Sequence, residues 1–374
     1  MKLTIQIQVL PDVKQASLLK ATVERFNEAA TWLAGEVFAV RSANKVDAQH
    51  RHYRTLREKF GLSAQMAVRC IAQVCEAYKR DKNKRPRFRK HAAMPFDQRI
   101  MSFKGIDRVS LLTLAGRVIV PIIMGQYQRE RFTNAKGQSD LVLRRDGKWF
   151  LLVTVDVPDG TPTPVTDFVG VDLGVVHIAT TSDGQRVSGD KVEKVRQKHH
   201  RTRRSLGKRM SSPHKRRTRR NARRAMKRIG NREQRFRRHE NHVISKQIVK
   251  LAEGTGRGIG LEDLKHIRIR TRFRKGQRAK ISGWAFWQLR TFVEYKSKLA
   301  GVPVVVVDPR NTSRTCSACG HCEKANRQNQ AEFKCRQCGF TANADVNAAT
   351  NIAAAAKVNW LEVTKEHRCK SLVA

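Results

Sequence analysis

The sequence lacks long apolar runs and has few aromatic and few acidic residues. No stretch approaches the ~20 consecutive apolar residues of a membrane-spanning helix, so we expect no membrane partner. Aromatic residues are only 6% of the chain, which argues against an extended platform for stacking bases. The first residues alternate like a strand and contain no signal-peptide core. We therefore expect a cytoplasmic protein whose eight cysteines serve as metal ligands or core residues rather than in disulfides.

Positive charge is what the composition has in excess. The 374 residues include 76 Lys and Arg but only 32 Asp and Glu, which gives a formal net charge of +44. Such an excess predicts a polyanionic partner, because cationic side chains release the condensed counterions of a nucleic acid. A basic protein of the ribosomal type is the alternative that composition leaves open.

The positive charge is concentrated in residues 191–240, which hold 22 Lys and Arg and three Glu. The apolar spacing there is weak, and we expect long helices that follow a nucleic-acid backbone. The pattern does not choose between RNA and DNA. The candidate nucleic-acid-binding residues lie from position 202 onward: Arg203, Arg204, Lys208, Arg209, Lys215, Arg216, Arg217, Arg219 and Arg220, with Thr202 at the start of the same run.

The N-terminal half predicts a small β domain that is interrupted by helices. Residues 2–10 alternate as a short strand, and the apolar spacing after Val13 is that of a helix. A second helix is expected to begin after the N-cap Ser63. Between residues 96 and 157 the period changes to that of strands, with Asp146-Gly147 as a hairpin turn.

After residue 165 strands and helices alternate, which favours an α/β domain with a mixed sheet. The order of an opening hairpin, then helices, then single strands is that of an RNase H-type fold. The expected elements are a strand at 169–181 that turns at 182–184, basic helices, a strand at 258–261, a helix at 282–299, a strand at 303–307 and a helix at 345–356.

Three acidic residues stand out because they border apolar runs in a basic chain. Asp172 lies in Phe168-Val-Gly-Val-Asp-Leu-Gly174, Glu262 follows an apolar strand, and Asp345 begins the Ala-rich helix. A carboxylate in an apolar run is costly unless it is paired or binds a metal. Mg²⁺ prefers rigid oxygen ligands, and two such ions ~4 Å apart can hydrolyse phosphodiesters. We therefore predict a nuclease that uses two Mg²⁺ ions, with these three acids as catalytic metal ligands.

Each of these acids also has a local structural explanation. Asp172 could be satisfied within a turn, and Asp345 could be the N-cap of its helix. Asp263 stands beside Glu262, and alternation alone does not decide which of the two faces a site. Asp308 also ends a strand, and it could simply cap the following turn.

Cysteine spacing predicts a second metal site. Cys316-x-x-Cys319-Gly and Cys335-x-x-Cys338-Gly are separated by 15 residues between the pairs, which is the spacing of a four-cysteine zinc ribbon. Cys322 and His321 lie close by and leave the ligand set open. The repeated Cys-x-x-Cys-Gly pattern favours the four cysteines and one structural Zn²⁺ ion.

Taken in order, these motifs resemble the TnpB (OrfB) family of transposon-encoded RNA-guided nucleases, which is related to type V CRISPR effectors. The resemblance covers about residues 168–352, and the N-terminal half matches in layout alone. Many members carry an Arg before the third acid, where this chain has Ala344. The matching segments are Gly170-Val-Asp-Leu-Gly174, Leu261-Glu-Asp-Leu264, 312–320, 333–339 and 344–352.

The resemblance implies a multidomain α/β and β fold. An N-terminal β-barrel wedge with a helical recognition insertion would precede an RNase H-like RuvC nuclease domain with an inserted four-cysteine zinc ribbon. The implied boundaries are 1–12 for a wedge strand, 13–92 for the helical recognition insertion, 93–162 for the wedge β-barrel, 163–311 for the nuclease domain with basic helices at 190–250, 312–341 for the zinc ribbon, 342–358 for the final nuclease helix and 359–374 for a flexible tail.

The resemblance also implies an RNA-guided DNA endonuclease with Asp172, Glu262 and Asp345 as its metal-binding triad. A guide RNA from the end of the element would pair with one strand of double-stranded target DNA, next to a short motif. The protein would then hold the heteroduplex by shape and charge. The alternatives are an RNA-guided DNA-binding repressor with weak or no cleavage, and a transposase that joins strands. A monomer associated with the nucleoid of a prokaryote is expected.

Overall fold

The computed structural model describes residues 1–132, 138–211, 213, 216–264 and 285–371, with side chains as far as Glu362. Its contacts divide the chain into two units, Met1–Pro158 and Asp159–Ala374. Within the described ranges, no helix is both long enough and apolar enough to cross a bilayer.

The first unit contains an antiparallel sheet of seven strands. They are β1 (Lys2–Val9), β2 (Met94–Phe96), β3 (Met101–Lys104), β4 (Arg108–Thr113), β5 (Gly116–Ile123), β6 (Ser139–Leu143) and β7 (Trp149–Asp156). Their order across the sheet is β2-β6-β7-β1-β5-β4-β3. The first strand lies in the middle because its alternating apolar side chains, among them Ile5 and Ile7, face the core. Within the described residues β2 and β3 are the end strands of this order, and the expected barrel stays a prediction.

Three helices lie between β1 and β2 in the sequence: α1 (Val13–Ala39), α2 (Lys45–Phe60) and α3 (Ala64–Arg80). The predicted N-cap Ser63 is confirmed, since its side chain accepts a hydrogen bond from the backbone N–H of Met66. The sequence did not predict α2, because only Ala48, Leu56 and Phe60 of that helix are buried and most of its surface is charged. A short helix, α4 (Gln126–Phe132), follows β5.

The second unit contains a mixed sheet of five strands. They are β8 (Phe168–Asp172), β9 (His177–Thr181), β10 (Arg186–Ser188), β11 (Gly258–Glu262) and β12 (Val304–Val307), in the order β10-β9-β8-β11-β12. The three strands β8, β11 and β12 are parallel, while β9 and β10 are antiparallel to their neighbours.

The single strand expected over 169–181 is wrong, because this segment is two antiparallel strands. The chain reverses directly after Asp172, and Asp172 pairs with Thr180 on the returning strand. Gly174 permits the tight reversal, since a Cβ atom there would lie 2.7 Å from the carbonyl oxygen of His177.

Five helices of the second unit are described: α5 (Asp190–Ser211), α6 (Arg216–Ile229), α7 (Arg232–Gly254), α8 (Phe286–Ala300) and α9 (Ala344–Ser371). The expected start of α8 at Ser282 lies outside the described residues. Of the aromatic residues of α8, Phe286 is buried whereas Trp287 is 71% exposed. The backbone of α9 continues to Ser371, past residue 358 where the final helix was expected to end.

The two faces of this sheet carry different residues because side chains alternate along a strand. Val169 and Val171 of β8 point to one face, where they join the cluster that also contains apolar residues of α7 and α8. Phe168 lies on the opposite face, in a cluster with Ile352 and Ala356 of α9.

The face under α9 has no side chain at its centre. Gly170 and Gly260 are paired across β8 and β11. A Cβ atom on Gly170 would lie 1.9 Å from the carbonyl oxygen of Ala349, and one on Gly260 would lie 2.9 Å from the Cβ of Ala356. The two glycines therefore allow the Ala-rich helix to lie directly on the sheet.

Candidate functional site

The three predicted acids meet at one edge of the second sheet. Asp172 and Glu262 are the last residues of β8 and β11, two parallel neighbours whose preceding residues, Val171 and Leu261, are paired. Asp345 lies in the first turn of α9, the helix that the glycines hold on this face. The negative charges of Glu262 and Asp345 both act on the carboxyl group of Asp172. The structure therefore brings together acids that are far apart in the sequence.

Burial and mutual repulsion shift the ionisation of this cluster. Burial, and after it the charges of Glu262 and Asp345, raise the pKa of Asp172 to about 7. Burial also raises the pKa of Glu262, whose residue is 8% exposed. Buried like charges are costly unless cations accompany them. The arrangement thus favours a positive ligand at this edge.

Three other side chains contact the acids. The Thr312 hydroxyl donates to Glu262 Oε1 at 2.5 Å. Nδ1 of His177 lies 3.0 Å from Asp345 Oδ2, and a guanidinium nitrogen of Arg327 lies 3.3 Å from Asp345 Oδ1. These contacts fix the orientation of two of the three carboxylates.

Arg327 also acts on the ionisation of the cluster. Its charge opposes the burial-induced rise in the pKa of Asp172 and of Glu262. The sequence did not point to Arg327, because it is one of 76 Lys and Arg in the chain and lies outside the motifs. His177 and Thr312 were missed as well, although Thr312 begins one of the motif segments.

Two neighbouring acids have partners outside the cluster, and only Asp308 has the predicted local one. Asp263 faces away from the cluster and pairs with Arg290 of α8 at 2.7 Å. Asp308 is exposed, and its Oδ1 accepts the backbone N–H of Arg310 at 3.0 Å. The N-cap explanation for Asp345 is wrong, because Asn343 Oδ1 accepts the Asp345 N–H at 3.1 Å and so caps the helix itself.

The four predicted cysteines form a compact cluster. Every ligand atom of Cys316, Cys319, Cys335 and Cys338 lies within 4.8 Å of the others. The Sγ atoms of Cys316 and Cys338 are 3.7 Å apart, and those of Cys319 and Cys335 are 3.6 Å apart. Tetrahedral Zn–S bonds of about 2.3 Å imply sulfur separations of ~3.8 Å, so the cluster fits a zinc ion. Cys322 is exposed and lies outside this group.

Two equivalent turns build the cysteine cluster. The N–H of Gly320 donates to the carbonyl of Cys316, and the N–H of Gly339 donates to that of Cys335. Both glycines have positive φ angles, of 78° and 71°, which explains their place after each second cysteine. The N–H of Cys338 donates toward Cys335 Sγ and lowers the pKa of that thiol to about 6. A thiolate is the form that binds metal.

The carboxylates have different donor chemistry and a wider spacing. Among the residues that the structure describes, the four cysteines form a group whose ligand atoms all lie within 4.8 Å of one another, and the three acids do not. The three acids therefore do not converge on a single point. Their hard oxygen donors fit Mg²⁺ ions rather than zinc.

Most of the candidate nucleic-acid-binding residues are exposed on α5 and α6. Arg204, Lys208 and Arg209 are exposed on α5, as are Arg216, Arg217 and Arg220 on α6, whereas Arg219 is half-buried. Arg203 pairs with Glu233 of α7 instead. Thr202 does not belong with the cations, because it is neutral and its hydroxyl donates to the backbone of Lys198. Lys215 lies outside the described residues.

Comparison with known protein families places both clusters in matched segments. Residues 150–266, which include Asp172 and Glu262, match the family described as "Probable transposase", OrfB of IS605. Residues 286–352, which include Asp345 and the four cysteines, match the family described as "Cas12f1-like, TNB domain".

Individual relatives extend the similarity beyond these segments. The chain is 30% identical over 288 residues to InsQ of Escherichia coli strain K12, named as an RNA-guided DNA endonuclease, covering 72% of this chain and 70% of InsQ. It is 32% identical over 271 residues to the CRISPR-associated endodeoxyribonuclease Cas12f1 of Sulfoacidibacillus thermotolerans. That match covers 69% of this chain but only 61% of the relative, so the chain spans less than two thirds of that protein.

Solved structures show the same fold at low sequence identity. The protein in a Cas12f1–sgRNA–target DNA complex superposes with a TM-score of 0.59 at 14% identity, over 90% of this chain and 82% of that one. The mini-RNA-guided endonuclease CRISPR-Cas_phi3 superposes with a TM-score of 0.55 at 11% identity, over 96% and 92% of the two chains.

The fold and the matched segments define the class: mixed α/β multidomain proteins of the kind that includes transposon-encoded proteins and type V CRISPR effectors. Within this class the chain belongs to the TnpB (OrfB) family.

Proposed function

We propose that this protein is an RNA-guided DNA endonuclease of a transposable element, which cleaves guide-matched double-stranded DNA next to a short motif. The observation that carries the proposal is the meeting of Asp172, Glu262 and Asp345 at one sheet edge, in a chain with a net charge of +44. The relatives named "CRISPR-associated endodeoxyribonuclease Cas12f1" and "Putative RNA-guided DNA endonuclease InsQ" support the same kind of activity.

The second unit fits an RNase H-like RuvC nuclease domain. An antiparallel β10-β9-β8 hairpin pair is extended by the parallel strands β11 and β12, and the acids lie at the ends of the two central strands. In the first unit, the seven-stranded sheet would be the wedge, and α1 to α3 would be its helical recognition insertion.

Asp172, Glu262 and Asp345 would together hold two Mg²⁺ ions. When bound, such ions activate water and stabilise the leaving oxygen of a phosphodiester. The chain itself contributes the edge of the sheet and the orientation of two of the carboxylates. Thr312 holds Glu262 Oε1, and His177 holds Asp345 Oδ2. Each would keep a carboxylate oxygen in place as phosphate enters.

Arg327 would supply a positive charge where the phosphate binds. It contacts Asp345 Oδ1 and acts electrostatically on both of the other acids. A guanidinium near a reacting phosphate stabilises the negative charge that develops on its oxygens. Arg327 would replace the Arg that many family members carry at the position of Ala344, because its guanidinium contacts Asp345 from another part of the chain.

The four cysteines would hold one structural Zn²⁺ ion. Closed coordination by four thiolates leaves no open position for substrate, so we assign this cluster no catalytic step. The exposed cations of α5 and α6 would track the phosphates of the guide RNA or of the heteroduplex.

The test is the Asp172→Ala variant, purified with the RNA transcribed from the flanking DNA. With Mg²⁺ and a matching duplex, we expect cleavage to fall by about 10³-fold or more, since several kcal/mol of transition-state stabilisation depend on the metal site. Binding of guide RNA should be retained. Asp308→Ala is the matched control, because Asp308 also ends a strand but caps only a local turn.

Unchanged cleavage by Asp172→Ala would overturn the site assignment. Bound RNA without breaks in the wild-type chain would support the repressor instead. Products with joined strands would support a transposase.

A further inference from the structure

Two asparagines on α9, the helix that carries Asp345, form hydrogen bonds with the backbone on either side of Cys316. Asn347 is 1% exposed, and its Nδ2 donates to the carbonyl of Thr315 at 2.8 Å. Its Oδ1 accepts the N–H of Ser317 at 3.0 Å. Asn351 Nδ2 donates to the carbonyls of Thr312 and Thr315, at 2.8 and 2.7 Å. The two amides are four residues apart on a helix, so they lie on the same face.

The segment that these amides hold is Thr312–Ser317, and it connects both clusters. Its last residues surround Cys316, a member of the thiol cluster. Its first residue, Thr312, donates its hydroxyl to Glu262 Oε1. The Asn351 amide therefore holds the backbone of the residue that orients an acid.

A second connection runs through Arg327. The neighbouring Asn326 is fully buried, and its side chain donates to the carbonyls of Arg314 and His321. It also accepts the N–H of Arg336, next to Cys335. The buried side chain of Asn326 therefore links the backbone next to Arg327 to the segments that carry the cysteines. The guanidinium of Arg327 in turn contacts Asp345.

We propose that Asn347 and Asn351 are positioning residues that couple the order of the cysteine cluster to the geometry of the carboxylate site. The inference rests on the proposed nuclease function and deepens it. Without these amides, Thr312 would no longer be held opposite Glu262, while every metal ligand would still be present. The carboxylates would then bind a divalent ion more weakly although zinc remains in place.

The experiment uses the full chain loaded with zinc and guide RNA. Asn351→Asp has the same shape but replaces the N–H donor by a carboxylate oxygen, so it removes both hydrogen bonds and adds a negative charge. The added charge by itself would strengthen the binding of a cation, so a loss of Mn²⁺ affinity reports the lost hydrogen bonds. Mn²⁺ serves as the probe of the carboxylate site, and its binding is measured by calorimetry or by electron paramagnetic resonance. Thr350→Val is the matched control, because the Thr350 hydroxyl donates only within α9, to the carbonyl of Val346.

For Asn351→Asp we expect one bound zinc, unchanged KM for target DNA, and about tenfold losses in Mn²⁺ affinity and in kcat, the usual size of effects from partners of metal ligands. Thr350→Val should change neither quantity. Thr312→Ser, which keeps the hydroxyl, should exceed Thr312→Val in Mn²⁺ affinity by a similar factor. This pair tests the same coupling if Asn351→Asp folds poorly.

Mn²⁺ affinity and kcat within twofold of the wild type in Asn351→Asp, or equal losses in Thr350→Val, would overturn the inference. A wild-type chain that never cleaves but whose Mn²⁺ affinity still falls in Asn351→Asp would support the coupling and refute the proposed function. The two proposals are therefore separable.

Discussion

The cysteine cluster and the carboxylate cluster lie in the same unit but are assembled in different ways. The four thiols come from one short segment, Cys316–Cys338, and two similar turns set their geometry. The three acids come from two strands and a helix that are widely separated in the sequence. Their meeting depends on the register of β8 with β11 and on the way α9 lies against the sheet.

Residues close in sequence set the geometry of the thiol site, whereas residues distant in sequence set that of the carboxylate site. Backbone N–H groups near each cysteine fix the thiol site, so changes elsewhere in the sheet should leave it intact. The carboxylate site has no local scaffold, and its burial raises the pKa of Asp172 and of Glu262. It should therefore respond to packing changes that lie outside the acids themselves.

The largest effect is expected from Cys335→Ser, which removes one ligand of the local site. Structural zinc contributes on the order of 10 kcal/mol in small domains, so we expect loss of zinc and unfolding of the cysteine segment. As a result, the contacts of Thr312 with Glu262 and of Arg327 with Asp345 should be lost, and Mn²⁺ binding should weaken. Metal analysis and Mn²⁺ titration measure both effects.

Cys322→Ser is the control for this variant, because Cys322 lies outside the cluster. It should retain one zinc per chain. Full zinc content in Cys335→Ser would mean that another residue completes the site.

Gly170→Ala should damage the carboxylate site while leaving the thiol site intact. The new Cβ would lie 1.9 Å from a backbone carbonyl of α9, which cannot move without shifting the helix. We expect about 3 kcal/mol or more of lost stability, with zinc retained and cleavage strongly reduced. Denaturant unfolding and metal analysis of the same preparation separate the two sites.

Gly207→Ala is the matched control within the same unit. Gly207 lies inside α5 with no atom within 4 Å of the added Cβ. Alanine should stabilise that helix by up to about 1 kcal/mol. Equal losses of stability in both glycine variants would contradict the explanation that α9 packs too closely on Gly170 to admit a Cβ atom.

Arg327→Gln should slow cleavage while leaving both clusters assembled. We expect kcat to fall by about 10- to 100-fold, because the guanidinium contacts Asp345 and, in the proposed site, would stabilise charge on the phosphate. Single-turnover cleavage at saturating Mg²⁺ measures this effect. Arg336→Gln, an exposed cation of the same segment, should behave like the wild type; similar losses in both variants would point to general phosphate attraction instead.

The smallest effect concerns stability of the metal-free chain. The folded pKa of Asp172 is raised to about 7 from an ordinary value of 3.8, so the folded state binds the extra proton between these pH values. The free energy of unfolding should therefore fall as pH rises from 4 through 7. Asp172→Asn should be more stable than the wild type by about 1–2 kcal/mol at pH 8, with the gain fading toward pH 4.

Urea unfolding at several pH values, in Zn²⁺-containing buffer from which Mg²⁺ is omitted, checks this sign. Added Mg²⁺ should reverse the order, since only the wild type gains from the ion. A wild type that is more stable than Asp172→Asn at pH 8 without Mg²⁺ would contradict the assigned burial of this carboxylate.

The parts of the site that could be predicted are those specified by residues close together in the sequence. Cysteine spacing identified the four thiols that meet, because two tight turns need only neighbouring residues. Apolar runs that end in an acid identified Asp172 and Glu262, because strands and their ends are visible as patterns. The hairpin turn at Asp146-Gly147 and the N-cap Ser63 have the same local origin.

The tertiary structure decided the features that depend on partners distant in sequence. Glu262 rather than Asp263 faces the cluster, because β11 places the next residue toward Arg290. Thr312, His177 and Arg327 became visible only as spatial neighbours of the acids. The sequence by itself determined which residues could bind metal, and its excess of positive charge predicts a polyanionic partner. Only the folded sheet, with two paired glycines under α9, decided that three distant acids meet, because strand register and helix packing are set between segments rather than within them.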